Sequence, residues 1–371
     1  MSNNDTSAAG RSLFLPRLAL VVISVVVALL VVEGAVRVRQ WMRYRTDRAW
    51  VYSFVDDPRT GLTIPKPNLD TGRIRIDSRG FRNPEIQMPK PAGRVRLAFL
   101  GASTTFCMEV SSNEATWPHQ VAQALSKRYG GVTFDYINAS VPGFDLQTSL
   151  KNLRARVVPL QPDCILYYEA SNDFTKDTRS LAAKEGLFSG KAENPSALAR
   201  VSTAWFLVER NLLVRKRVCE ERSGKKLRFN ADSLAMGFET RLEGFLREAH
   251  HVAPVCAVAT FAHRVRRDQS PEVQLEACTS SLYYAPYLSV AGFLDGWDAY
   301  NRAIRAAGRE TGTLLIAEED SIPGDKVHFA DSIHFLDAGS RKMADRVVRA
   351  LVASPEFNRL VVSRGGHPIS P

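Results

Sequence analysis

Cysteine is scarce, and nothing about its spacing suits a metal. The five cysteines stand at positions 107, 164, 219, 256 and 278 with no Cys-x-x-Cys pair, which argues against both a zinc cage and a small disulfide-stapled scaffold. Cys107, Cys164 and Cys256 fall in or beside expected core strands and read as small buried hydrophobes. Cys219 and Cys278 fall in irregular stretches and would be free to pair in an oxidising compartment. Histidine is little better supplied: His119, His250, His251, His263 and His367 show no ligand spacing, so no metal and no cofactor is expected. There is no internal repeat, and no basic stretch is interleaved with aromatics. The formal charge of +10, from 49 Lys and Arg against 39 Asp and Glu, therefore reads as a dispersed basic surface facing an anionic neighbour rather than as a nucleic-acid interface.

Long apolar runs are also missing, with one exception. Leu18 to Val32 is apolar apart from Ser24, and with its flanks it is long enough to cross a bilayer. The following Val32-Glu33-Gly34-Ala35 is a poor signal-peptidase site and no lipobox cysteine is present, so an uncleaved anchor over residues 13–40 is expected behind a polar tail of residues 1–12. Orientation is contested. Arg11 and Arg17 precede the run, whereas Arg37, Arg39, Arg43, Arg45 and Arg48 follow it. The positive-inside rule puts the C-terminal side in the cytoplasm, yet large domains translocate largely regardless of flanking charge.

What remains is ordinary globular composition, 45% hydrophobic and 24% charged. Residues 41–92 are irregular and proline-rich, a juxtamembrane spacer expected to pack on the domain that follows. From Arg94 the pattern becomes strand then helix, repeatedly. Strands are expected at 95–100, 132–138, 164–168, 254–261 and 314–317, and helices at 114–128, 146–158, 232–249, 293–311 and 338–352. Such alternation predicts an α/β fold: a three-layer α/β/α sandwich around a mainly parallel sheet of about five strands. The domain is expected to span 93–354, with insertions at about 175–231 and 263–292 and a C-terminal tail at 355–371.

Four stretches at strand ends carry the chemistry: Gly101-Ala102-Ser103-Thr104, Asn138-Ala139-Ser140-Val141-Pro142-Gly143, Glu169-Ala170-Ser171-Asn172-Asp173 and Asp331-Ser332-Ile333-His334. A serine becomes nucleophilic when a neutral imidazole takes its proton. His334 is placed to be that base, and Asp331, three residues earlier, to fix its tautomer. The tetrahedral oxyanion needs donors, which the Ser103 amide, the Gly143 amide and the Asn172 side chain would supply. His328 is a competing base and ranks second, while Asp173 is expected to shape its loop rather than react. Taken singly, each residue has a plainer reading as a helix cap, a turn glycine or a surface histidine. It is the four stretches in order that point to catalysis.

These blocks resemble those of the SGNH hydrolase superfamily, the GDSL-like lipases and esterases, over about Arg94 to Val352. Gly80-Phe81-Arg82 ahead of the first strand also resembles bacterial members tethered by an N-terminal helix. The resemblance implies a flavodoxin-like SGNH fold with Ser103 as nucleophile, His334 and Asp331 completing a triad, and Ser103, Gly143 and Asn172 as the oxyanion hole. It further implies a serine esterase acting on an ester-bearing substrate such as a polysaccharide or lipid, O-acetyl groups of an envelope or secreted polysaccharide being one such case. The protein would be a single-pass component of the bacterial inner membrane with its catalytic domain in the periplasm. An O-acyltransferase using the same acyl-enzyme is an alternative, as is a non-catalytic glycan-binding component whose insertions bring Arg264, Arg266, Arg267, Tyr283, Tyr284 and Tyr287. The family's Gly-Asp-Ser is Gly101-Ala102-Ser103 here, and Thr105 stands where a Gly-x-Ser-x-Gly elbow would need glycine.

Overall fold

The computed structural model describes residues 6–44, 54–188 and 196–369. Parts of the expected N-terminal tail (1–5), the spacer (45–53), the first insertion (189–195) and the C-terminal tail (370–371) lie outside the described residues. The chain divides into two compact units, Met1–Val51 with Ala192–Leu213, and Tyr52–Lys191 with Val214–Pro371.

In the first unit the apolar run belongs to a helix that begins at Thr6, inside the stretch expected as polar tail, and ends at Tyr44. Its Leu15–Met42 portion has a mean hydropathy of 2.8 and is long and apolar enough to cross a membrane.

The second unit is built on five parallel strands: β1 (Arg94–Gly101), β2 (Thr133–Asn138), β3 (Cys164–Tyr168), β4 (Val255–Ala259) and β5 (Leu314–Ile316). Their order across the sheet is β2-β1-β3-β4-β5. β1, β3 and β4 are buried along nearly their whole length, because helices cover both faces and leave no solvated side for polar residues to alternate onto. The helices used below are α1 (Ser103–Phe106), α2 (Trp117–Arg128), α3 (Leu146–Asn152), α4 (Ser171–Lys184), α5 (Ala231–Val252), α6 (Val290–Glu310) and α7 (Asp337–Ala353). α2 packs with α7, and α3, α4 and α6 pack with α5, which gives the expected three layers. Strand order reverses at β1, so the crevice beyond the carboxyl ends of β1 and β3 is the place where such sheets hold ligands.

Two local expectations are corrected. The helix expected over 146–158 is α-helical only to Asn152 and continues as a π-turn, Leu153–Val157, and a short 3₁₀ turn. Residues 355–371 are not simply a tail: Pro355–Ser363 is a helix whose Phe357, Leu360 and Val361 are buried, and His367–Pro368 pairs with Tyr129–Gly130. Residues 41–44 of the expected spacer end the N-terminal helix, whereas from residue 54 the spacer belongs to the same compact unit as the sheet and opens with a hairpin of Phe54–Asp57 and Leu62–Pro65. Its Arg82 is fully buried and donates to the carbonyls of Phe106 (2.9 Å) and Cys107 (2.7 Å) and to Asn113 Oδ1 (2.9 Å). This guanidinium satisfies carbonyls at the end of α1 that the helix leaves without partners.

Candidate active site

Each of the four stretches ends a strand or opens a helix at the crevice, except the last, which forms a loop before α7. In the first, Gly101 pairs with Tyr168 at the ends of β1 and β3, and a Cβ on Gly101 would overlap the Tyr168 carbonyl oxygen and the Thr105 hydroxyl. Glycine is needed there because the chain turns hard against β3. Thr105 Oγ1 donates to that same Tyr168 carbonyl (2.8 Å) and ties α1 down. Ala102 occupies the cap of α1 without a side-chain hydrogen bond. Ser103 opens α1 half-buried, its amide among those with no acceptor inside the helix.

The loop before α7 brings His334 to Ser103. Asp331 Oδ1 accepts the amides of Ile333 and His334 (both 2.9 Å), closing a tight turn. That turn brings Asp331 Oδ2 within 2.8 Å of His334 Nδ1. With Nδ1–H donating to the carboxylate, Nε2 is left to accept from Ser103 Oγ, 2.7 Å away. Burial opposes the charge on Asp331, but the imidazole and the two amides outweigh it and hold the carboxyl at about 2. Burial likewise opposes protonation of His334, and the charge and hydrogen bond of Asp331 outweigh it, so the imidazole sits above its ordinary value.

Gly143 lies exposed on the turn after β2 at φ +86°, with open space where a side chain would project. Asn172, near the start of α4, donates one amide hydrogen to the Phe144 carbonyl (2.9 Å). That bond anchors the Gly143 turn to α4 and leaves a second hydrogen on the same nitrogen. Asp173 accepts the Leu146 amide (2.8 Å) and serves α3 and its loop, as expected.

Two features were not read from the sequence. Glu169 is buried at the end of β3, accepts the Asn172 amide (2.8 Å) and faces Thr104 Oγ1 (3.4 Å). Burial pushes its carboxyl up to about 7, with Asp173 adding to the rise and the Asn172 amide and His334 opposing it. Its motif block was visible, but nothing in the spacing marked this carboxylate as enclosed. The second feature is a second Asp–His turn, and it leaves His328 ranked second. Asp325 stands three residues before His328 and bonds its Nδ1 at 2.7 Å, so the Asp-x-x-His turn occurs twice within the ten residues 325–334, and proximity to Ser103 alone separates the two. Cys278 is a buried free thiol, not half of a disulfide with Cys219. Arg264, Arg266 and Arg267, the insertion cations, are paired with Glu276, Asp320 and Asp298. No group of His, Cys, Asp and Glu able to hold a metal occurs among the described residues.

No family profile and no curated protein matches the sequence. Among solved structures, the chain is similar to Axe2, an acetylxylan esterase from Geobacillus stearothermophilus, at 12% identity and a TM-score of 0.43 over 71% of this chain and 95% of that one. It is also similar to LAE5, an alpha/beta hydrolase enzyme from the metagenome of Lake Arreo, Spain, at 12% identity and a TM-score of 0.42 over 69% of this chain and 94% of that one.

Proposed function

We propose that the chain is a membrane-tethered serine esterase that cleaves a carboxylic ester through Ser103, His334 and Asp331. One observation carries the reading: the continuous Ser103–His334–Asp331 relay, with contacts of 2.7 and 2.8 Å, assembled from the end of β1 and a loop more than two hundred residues later. In the proposed cycle Ser103 Oγ attacks the ester carbonyl while His334 Nε2 takes its proton. Asp331, ionised throughout, stabilises the imidazolium. The oxyanion receives hydrogen bonds from the Ser103 and Gly143 amides and from the free hydrogen of Asn172 Nδ2. His334 then protonates the departing alkoxide, and water repeats the sequence on the acyl-enzyme.

Gly143 is exposed, and among the described residues nothing lies within 4 Å of where its side chain would project, which suits a bulky alcohol such as a sugar. An O-acetylated polysaccharide is the substrate class proposed on that ground and on the resemblance described above. The anchor is read as an uncleaved inner-membrane span with the catalytic unit in the periplasm. Hydrolysis of p-nitrophenyl acetate by the detergent-solubilised full chain tests the chemistry, with Ser103→Ala as control. Turnover is expected and should fall by at least about 10³-fold in the variant. A folded wild-type protein with neither turnover nor a trappable acyl group on Ser103 would remove the esterase reading.

A further inference from the structure

The first unit carries an apolar surface that the catalytic proposal does not use. Its parts meet at Glu33, the first charged residue after the apolar run. Glu33 Oε1 accepts the Thr203 amide (2.8 Å) and Oε2 accepts the Ala204 amide (2.9 Å) and the Ser202 hydroxyl (2.8 Å). Arg37, one turn on, bonds Glu33 (2.6 Å) and donates to the Val201 carbonyl (2.8 Å). A carboxylate on the first amides of a helix is a favourable cap. It starts the helix Thr203–Ser223 at the C-terminal edge of the apolar span.

This helix leaves large apolar side chains exposed. Trp205, Val208 and Leu212 are exposed, and so are Leu198 and Val201 on the short helix Ala197–Val201 just before it. The spacing of three and four residues puts 205, 208 and 212 on one stripe. Arg200 is exposed on the short helix, and Arg210 is exposed on the side of the longer helix away from the stripe. The Trp205 indole N–H is satisfied by Glu209 (2.6 Å), which leaves its ring free to bury. Val38, Trp41 and Met42 are exposed on the N-terminal helix beyond Glu33, so the apolar surface continues on both sides of the junction.

We propose that the segment 197–213 is an interfacial helix whose stripe lies in the headgroup–acyl boundary of the membrane crossed by the N-terminal helix. The inference rests on the anchor reading and deepens it. Continuity with the apolar span fixes the depth, exposed tryptophans on both helices suit the interface, and a cation on the face away from the stripe, Arg210, suits a helix lying at the headgroups. A second copy of the chain fits worse. The stripe breaks at Ser202 between two helices, so it offers no continuous coiled-coil seam.

The test uses the full chain with Cys219→Ser, which removes the exposed cysteine and leaves the four buried ones. Single cysteines at Val208 or Val25 carry an environment-sensitive fluorophore, in vesicles of phosphatidylethanolamine and phosphatidylglycerol with or without doxyl-labelled lipid. The probe at 208 should shift to the blue and lose roughly half or more of its emission to a quencher placed about 5–10 Å below the headgroups. Quenching at 25 with a water-like, unquenched probe at 208 overturns the interfacial helix and leaves the anchor standing. An unquenched 208 probe together with Val208→Cys crosslinking between copies assigns the stripe to self-association, which also overturns the proposal. Failure to quench at 25 by a second quencher placed near the bilayer centre removes the anchor and this inference together.

Discussion

Single residues decide whether the serine can be activated, and the most informative of them is one with no reactive role assigned. Glu169 accepts the Asn172 amide from inside the sheet, and burial raises its carboxyl to about 7. The folded state therefore holds a proton that the unfolded chain releases near pH 4.5. Stability contributed at this site falls as pH rises from about 4.5 through 7 and is flat beyond, a difference on the order of 3 kcal/mol. Glu169→Gln keeps an oxygen to accept the Asn172 amide and cannot ionise. The variant should melt at a higher temperature than wild type at pH 8.5 and at nearly the same temperature at pH 5. An equal change at the two pH values would show that ionisation of Glu169 is not what costs stability. The contrast with Asp331 explains why one carboxylate was legible and the other was not. Asp331 announces itself through local spacing to His334, and the same local rule applies to Asp325 and His328. A three-residue turn specifies the Asp–His pair and says nothing about which pair the fold carries to Ser103. Enclosure of Glu169 depends on strands and helices that are remote in sequence.

At the scale of elements, the turns that hold the donors make opposite demands on their glycines. Gly101 is pressed against the end of β3, and a Cβ there has nowhere to go without moving backbone. Gly143 has open space and only its φ of +86° to object. Gly101→Ala should therefore cost stability heavily, by about 3 kcal/mol or more. Gly143→Ala should cost about 1 kcal/mol and act mainly on kcat, by misaiming a proposed oxyanion donor. Thermal melts and esterase assays of the two variants separate these effects. A Gly101→Ala protein as stable as wild type would mean that β1 and β3 do not approach as described. The strands themselves were readable because buried parallel strands are continuous apolar runs, and Cys164–Tyr168 falls where the sequence puts it. The π-turn at Leu153–Val157 was not readable, since nothing in its residues departs from a helical pattern. The helix Pro355–Ser363 was missed because its apolar positions Phe357, Leu360 and Val361 follow a proline that also reads as a stop.

For the whole molecule, charge and chemistry pull in different directions over which side of the membrane the proposed catalytic unit would face. Arginine is concentrated after the apolar run, which favours a cytoplasmic domain, and Arg37 is engaged with Glu33 and the Val201 carbonyl. The rule counts Lys and Arg rather than net charge, so the pairing leaves that signal standing. Cysteine usage is compatible with an oxidising compartment, because Cys107, Cys164, Cys256 and Cys278 are buried thiols. Burial pushes Cys107 and Cys256 up to about 12 and the other two higher still, which suppresses the thiolate that disulfide exchange requires. The proposed substrate class lies outside the cytoplasm as well. An alkaline phosphatase fused after Pro371, active only when exported, should therefore be active in cells, and a β-galactosidase fusion at the same point should be inactive. The reverse pattern would place the domain in the cytoplasm and exclude an envelope polysaccharide as substrate. It would leave the Ser103 relay intact, because strand ends and a loop within one unit assemble it whichever side of the membrane that unit faces.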